Sequence, residues 1–130
     1  MEKVKVALIG YGYLGKFHAQ KIEASSKAEL HSIVEVNGDA HLAIKELYPN
    51  TQLLRDYKDV ANAVDAVVIV TPTSFHCEII RFFLENNKHI FCEKPLLHDF
   101  SYRDEIIRLM KGSSKVLQVG HSERFHKCWD

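Results

Sequence analysis

Six residues near the amino terminus, Gly10-Tyr11-Gly12-Tyr13-Leu14-Gly15, carry glycine at the first, third and sixth places. That spacing suits a turn whose backbone N–H groups must lie against a diphosphate. Gly10 permits a tight turn, and Gly12 lets the main chain approach phosphate with no Cβ between them. Gly15 lets a following helix pack close on a strand. The N-terminus of that helix offers unpaired N–H groups and a partial positive charge. Tyr11, Tyr13 and Leu14 complete the loop and are counted with it as candidate dinucleotide contacts. Glu35 stands twenty residues beyond Gly15, where an acid can accept hydrogen bonds from the adenosine ribose diol. The same carboxylate would repel a 2′-phosphate, and its neighbours Val36, Asn37 and Gly38 supply no arginine. NAD is therefore expected in preference to NADP, and His41 is too weakly charged to reverse that.

This chemistry requires the glycine loop between a strand and a helix, and the acid at the end of the next strand. The hydrophobic pattern meets both demands. Strands are expected over residues 4–9, 30–36, 52–54, 66–70, 89–92 and 116–119. Helices are expected over 17–24, 41–48, 58–63, 74–86 and 101–111. Asn37-Gly38-Asp39 supplies a turn and an N-cap, Ser74 can cap a helix, and the unbroken apolar run 66–70 is what a parallel sheet buried on both faces requires. Strand and helix alternating at this pace argue for one α/β domain with a parallel sheet and right-handed crossovers. At 130 residues, about two-thirds of the unfolded surface can be buried, enough for a core without staples.

Composition excludes several function classes. Seventeen Lys and Arg balance seventeen Asp and Glu, so there is no basic footprint for nucleic acid. The run Val67 to Val70 is far too short to span a bilayer, so no membrane partner is expected. Three cysteines, Cys77, Cys92 and Cys128, form no C-x-x-C pair, and a reduced, cytoplasmic compartment is expected. No metal site is expected either: His121, His126 and Cys128 lack the paired close spacing of zinc ligands.

Three further strings sit after the fourth, fifth and sixth strands: Thr71-Pro72-Thr73-Ser74-Phe75-His76, Glu93-Lys94-Pro95, and Val119-Gly120-His121-Ser122-Glu123-Arg124-Phe125. With the glycine loop, in this order and spacing, the chain resembles the N-terminal domain of the glucose–fructose oxidoreductase, inositol dehydrogenase and MocA family. The resemblance runs from about Lys3 to Phe125. It implies a Rossmann-type doubly wound sheet, with residues 1–125 as the dinucleotide-binding domain and 126–130 as a truncated junction. It also implies hydride transfer between NAD(P) and a hydroxyl of a sugar, inositol or sugar nucleotide. By that analogy Lys94 would be the catalytic residue, bonding the reacting hydroxyl and the nicotinamide ribose and stabilising developing alkoxide charge. Glu93 would hold the nicotinamide side, and Thr71, Pro72, Thr73 and His76 would run along the cofactor. A cis peptide before Pro95 would fix the direction of Lys94. His76 also reads as a packing residue at a helix start, and His18 as structural.

The resemblance also implies a second, larger domain that supplies the sugar or polyol pocket and the catalytic histidine. The chain ends at Asp130, and no residue present is assigned as the proton-transfer base. After Arg124-Phe125 stand His126 and Lys127, where the family usually shows asparagine and proline. Two function classes follow: the cofactor half of an oxidoreductase, incomplete by itself, or a non-catalytic module that binds NAD or a partner. With no second domain to cover them, Phe125 and Trp129 are expected near the surface, and the chain is expected to self-associate.

Overall fold

The computed structural model describes residues 1–129; Asp130, the last residue of the expected junction, lies outside the described residues. Six parallel strands form one sheet: β1 (Val4–Ile9), β2 (Ala28–Val34), β3 (Gln52–Leu54), β4 (Ala66–Ile69), β5 (His89–Cys92) and β6 (Leu117–Val119). Their spatial order is β3-β2-β1-β4-β5-β6. The chain winds outward one way from β1, returns, and winds outward the other way from β4. The crevice at the carboxyl ends of β1 and β4 is therefore the switch point where open α/β sheets bind ligands.

Four helices cover the two faces: α1 (Tyr13–Glu23), α2 (His41–Leu47), α3 (His76–Glu85) and α4 (Arg103–Lys111). Alternation along each strand divides the core between them. Ala7 and Ile9 of β1 join Val67, Ile69, Ile80, Phe83, Ile90 and Ile106 on the α3/α4 face. Leu8, between them, joins Ala19, Leu30, Ile33, Ile44 and Tyr48 on the α1/α2 face. Ile9, Val67, Ile69 and Phe83 are all at most 2% exposed. The apolar run of β4 is thus explained by burial from both sides.

Several boundaries differ from the sequence reading. α1 begins at Tyr13, not at residue 17, because Lys16 N–H already closes the first turn on the Gly12 carbonyl at 3.2 Å. Glycine's low helix propensity hid that turn. β2 ends at Val34, which leaves Glu35 just past the strand. Ser74 caps nothing: it lies inside a 3-10 turn (Thr73–Phe75), and α3 starts without a side-chain cap. Residues 57–60 form only a 3-10 turn, capped by Asp56 accepting from Lys58 N–H at 2.9 Å. Asn37 does cap, accepting from Asp39 N–H at 3.1 Å, but it caps a 3-10 turn (Gly38–Ala40) that leads into α2.

Candidate dinucleotide site

The glycine loop spans the switch point. Gly10 has φ +98°, where a side chain is strained, and a Cβ there would stand 2.9 Å from the Val70 carbonyl oxygen. Its N–H donates to Val34 O, and Val70 N–H donates to Ile9 O, both at 2.9 Å, so the start of the loop is tied to the ends of both neighbouring strands. A Cβ on Gly15 would collide with the Gly10 carbonyl, which is the close helix–strand approach expected of that position. Gly12, the residue before α1, has no atom within 4 Å of where its Cβ would be. No side chain caps α1 and no acid stands in its first turn. Its N–H groups and positive dipole end therefore meet an open space. Tyr11 is buried, its ring edge-on to Tyr48. Tyr13 and Leu14 are exposed on the first turn, with Tyr13 against Phe17.

Glu35 closes one end of the crevice. Its Oε2 accepts from Tyr11 N–H and its Oε1 from Asn37 N–H, both at 2.9 Å, while its carbonyl takes a hydrogen bond from His41 Nε2 at 2.7 Å. Two amides thus aim the carboxylate at the glycine loop. An ionised carboxylate has about four acceptor positions, so room remains for a diol. Sequence neighbours supply no arginine here, but the tertiary structure does. The Arg55 guanidinium lies over Gly38, where a Cβ would collide with its Nη2.

The other end is built by the segments after β4 and β5. Thr71 Oγ1 is buried with no hydrogen-bond partner among the described residues. His76 is 1% exposed and bridges the two segments: Nε2 lies 2.9 Å from Thr71 O, and Nδ1 lies 3.0 Å from Pro95 O and 3.2 Å from Leu96 O. The histidine is thus a packing residue that stitches the Thr71 and Pro95 segments together. Pro72 is exposed, and Thr73 opens the turn that leads to α3. The Lys94–Pro95 peptide is cis, as the sequence suggested. Lys94 is exposed, and its ammonium makes no ion pair or hydrogen bond among the described residues. It borders an open cleft of about 300 Å³ lined by Gly120, His121, Ser122, Glu123 and Arg124.

Glu93 is more engaged than expected. Its Oε1 pairs with His18 Nε2 at 2.9 Å, and its Oε2 accepts from Lys94 N–H at 3.2 Å. A Cβ on Gly120 would stand 2.8 Å from the same carboxylate. His18 therefore reaches across from α1 to hold Glu93 and lies against the Phe91 ring, contacts that sequence reasoning did not anticipate. Burial, with the Glu93 charge next to it, pushes the Cys92 thiol up to about 12. A protonated thiol is no nucleophile, so Cys92 is a small apolar core residue here.

Two features fit a dinucleotide: the open space before Gly12 at an uncapped helix N-terminus, and the orphaned Thr71 hydroxyl in the segment after β4. The comparisons with known proteins agree. A family model described as an oxidoreductase family with an NAD-binding Rossmann fold matches residues 4–121. Inositol 2-dehydrogenase of Rhizobium meliloti is 33% identical over 122 residues, covering 94% of this chain and 37% of that protein. UDP-N-acetylglucosamine 3-dehydrogenase of Acidithiobacillus ferrooxidans is 33% identical over 131 residues, covering 97% and 39%. The crystal structure of scyllo-inositol dehydrogenase from Lactobacillus casei with bound NAD(H) and scyllo-inositol superimposes with a TM-score of 0.89 at 28% identity, covering 98% of this chain and 39% of that one. The chain spans little more than a third of the length of these relatives. On its fold, its glycine loop and this match, the chain belongs to the glucose–fructose oxidoreductase, inositol dehydrogenase and MocA family and forms its NAD-binding Rossmann domain.

Proposed function

We propose that residues 1–125 bind NAD(H) for an oxidoreductase acting on a hydroxyl of an inositol, sugar or sugar nucleotide, with residues 126–130 as the junction to its substrate-binding part. The observation that carries this reading is the open α1 N-terminus at Gly12, flanked by Glu35 at one end of the crevice and Lys94 at the other. The backbone of Gly10 to Gly15, with Tyr11, Tyr13 and Leu14, holds the diphosphate, and Glu35 accepts from the ribose diol. Thr71 Oγ1 donates its unused proton to the cofactor, and Pro72 and Thr73 line its path. His76 keeps the Thr71 and Pro95 segments in register. NAD is preferred over NADP because the Glu35 carboxylate would face a 2′-phosphate.

When bound, the cofactor supplies the hydride acceptor. Glu93, fixed by His18, sets the backbone from which Lys94 extends, and the Lys94 ammonium holds the reacting hydroxyl and stabilises its developing negative charge. The base that takes the hydroxyl proton is not among the residues assigned. An unpartnered ammonium beside an open cleft favours this reading over a purely non-catalytic module. The free cysteines suit a reducing, cytoplasmic setting, and the exposed aromatic residues near the carboxyl end suit self-association.

Calorimetric titration tests the reading. Saturable NAD(H) binding, tighter than that of NADP(H), is expected. Heats equal to dilution for both cofactors would refute the site, and equal affinities would refute the preference.

A further inference from the structure

The Arg55 guanidinium is a cation with no ion-pair partner among the described residues, in a place where a dinucleotide site could use one. Parallel pairing of β2 with β3 matches Val34 to Leu54, and Glu35 N–H donates to Leu54 O at 2.9 Å. The next residues, Glu35 and Arg55, therefore leave the same end of the sheet on adjacent strands about 4.8 Å apart. Gly38, in the turn after Glu35, has no side chain, and the guanidinium occupies the space that a Cβ there would fill. Among the described residues no carboxylate lies within ion-pair distance of Arg55, although Asp56 follows it in the chain and Asp39 follows Gly38. The Asp56 carboxylate is turned to Lys58 N–H. The acid that would reject a 2′-phosphate thus has beside it a planar cation able to grip one through two parallel hydrogen bonds.

We infer that Arg55 is the specificity-determining cation of the adenosine end: it receives the 2′-phosphate of NADP(H), so that Glu35 alone opposes that cofactor. This rests on the proposed dinucleotide site. NADP(H) then binds the chain measurably, though more weakly than NAD(H), and losing the acid inverts the preference instead of merely narrowing it.

The test is calorimetric titration of NAD(H) and NADP(H) against the full chain and its variants Glu35→Ser, Arg55→Gln and the double substitution. Thermal melts check the fold; Arg55 is exposed, so its replacement should leave them unchanged. Glu35→Ser is expected to bind NADP(H) more tightly than NAD(H). Arg55→Gln should remove about tenfold or more of NADP(H) affinity in either background, the loss of a hydrogen-bonded charge contact. NAD(H), with no 2′-phosphate, should lose less than about twofold on Arg55→Gln, since no such contact is removed. The NADP(H) affinity of Glu35→Ser should fall with added salt, and the double variant's should fall less. If Glu35→Ser gains NADP(H) affinity equally with and without Arg55, the inference fails while the site stands. Equal weakening of both cofactors by Arg55→Gln would instead make the arginine a contact to the shared adenosine, which also overturns it. Absence of NAD(H) binding by the unmodified chain would remove the site and the inference together.

Discussion

Two glycines of one loop have different surroundings, and substitution separates their roles in the proposed site. Gly15 is required by the fold, because a Cβ there meets the backbone carbonyl of Gly10, a residue whose N–H is bonded to Val34 O. Gly15→Ala should therefore cost about 1–3 kcal/mol by overpacking, seen as a lower urea midpoint. In the proposed site, Gly12 is required by the ligand and not by the fold. Open space surrounds its Cβ position, so Gly12→Ala should keep stability to within about 1 kcal/mol, the scale of a helix-cap change. Its NAD(H) affinity should nevertheless drop by about 1.5–3 kcal/mol, as for a lost hydrogen bond to a charged group. Titration and melting of the same two variants check this. A Gly12→Ala protein that bound normally would show that phosphate does not approach there.

At the scale of elements, the crevice depends on what holds the ends of β4 and β5 together. Those strands pair directly from Ala66↔His89 to Ile69↔Cys92. Beyond them Glu93 N–H still bonds Ile69 O, and His76 at the start of α3 then links Thr71 to Pro95 and Leu96. His76→Ala would empty a buried volume and strip partners from half-buried carbonyls. A loss of about 2–4 kcal/mol is expected from cavity and hydrogen-bond terms together. Hydrogen exchange should then rise over residues 94–97 more than over β1 and β2. Uniform acceleration would mean that His76 is a general core residue and not a brace for the lysine segment.

For the whole molecule, burial governs the response to alkali. Burial, then the hydrogen bond and charge of Tyr11, pushes Tyr48 from 10.0 up to about 12. Burial pushes Cys92 from 9.0 up to about 12 and raises Cys77 as well. Tyr57 is raised by burial and by its bond to the Glu78 carboxylate. Each of these groups keeps its proton longer when folded. The unfolded chain alone releases protons between about pH 9 and 12, so stability is full below pH 9 and declines through that window. Urea midpoints at pH 8, 9.5 and 10.5 should fall in that order; a flat series would contradict the burial of these groups. The surface is 8443 Å², about a fifth above the roughly 7,000 Å² expected for a monomer of this mass. Phe125 and Trp129 are 80% and 72% exposed, and Phe125 lines a cleft with Leu14, Phe17 and Phe91. With formal net charge +0, little repulsion opposes contact between copies. Sedimentation velocity should give a mass that rises with concentration, and Phe125→Ser should reduce the rise. A constant monomer mass would show that this face does not associate.

The sequence by itself determined the parts whose physical demand falls on single residues or short runs. A positive φ at Gly10 and a close approach at Gly15 each require glycine, so those positions of the loop are legible as written. Strands buried on both faces must be apolar without interruption, so the alternating architecture is legible too. The acid at residue 35 sits at a fixed distance from the loop because one strand and one helix of ordinary length lie between them. Only the tertiary structure decided which distant residues meet. Glu93 is paired with His18 from 75 residues away, His76 with carbonyls of two segments, and Gly38 with Arg55 through the register of β2 and β3. No periodicity along the chain encodes such meetings. They follow from strand order and stagger, which are set by how the whole sheet packs between its helices.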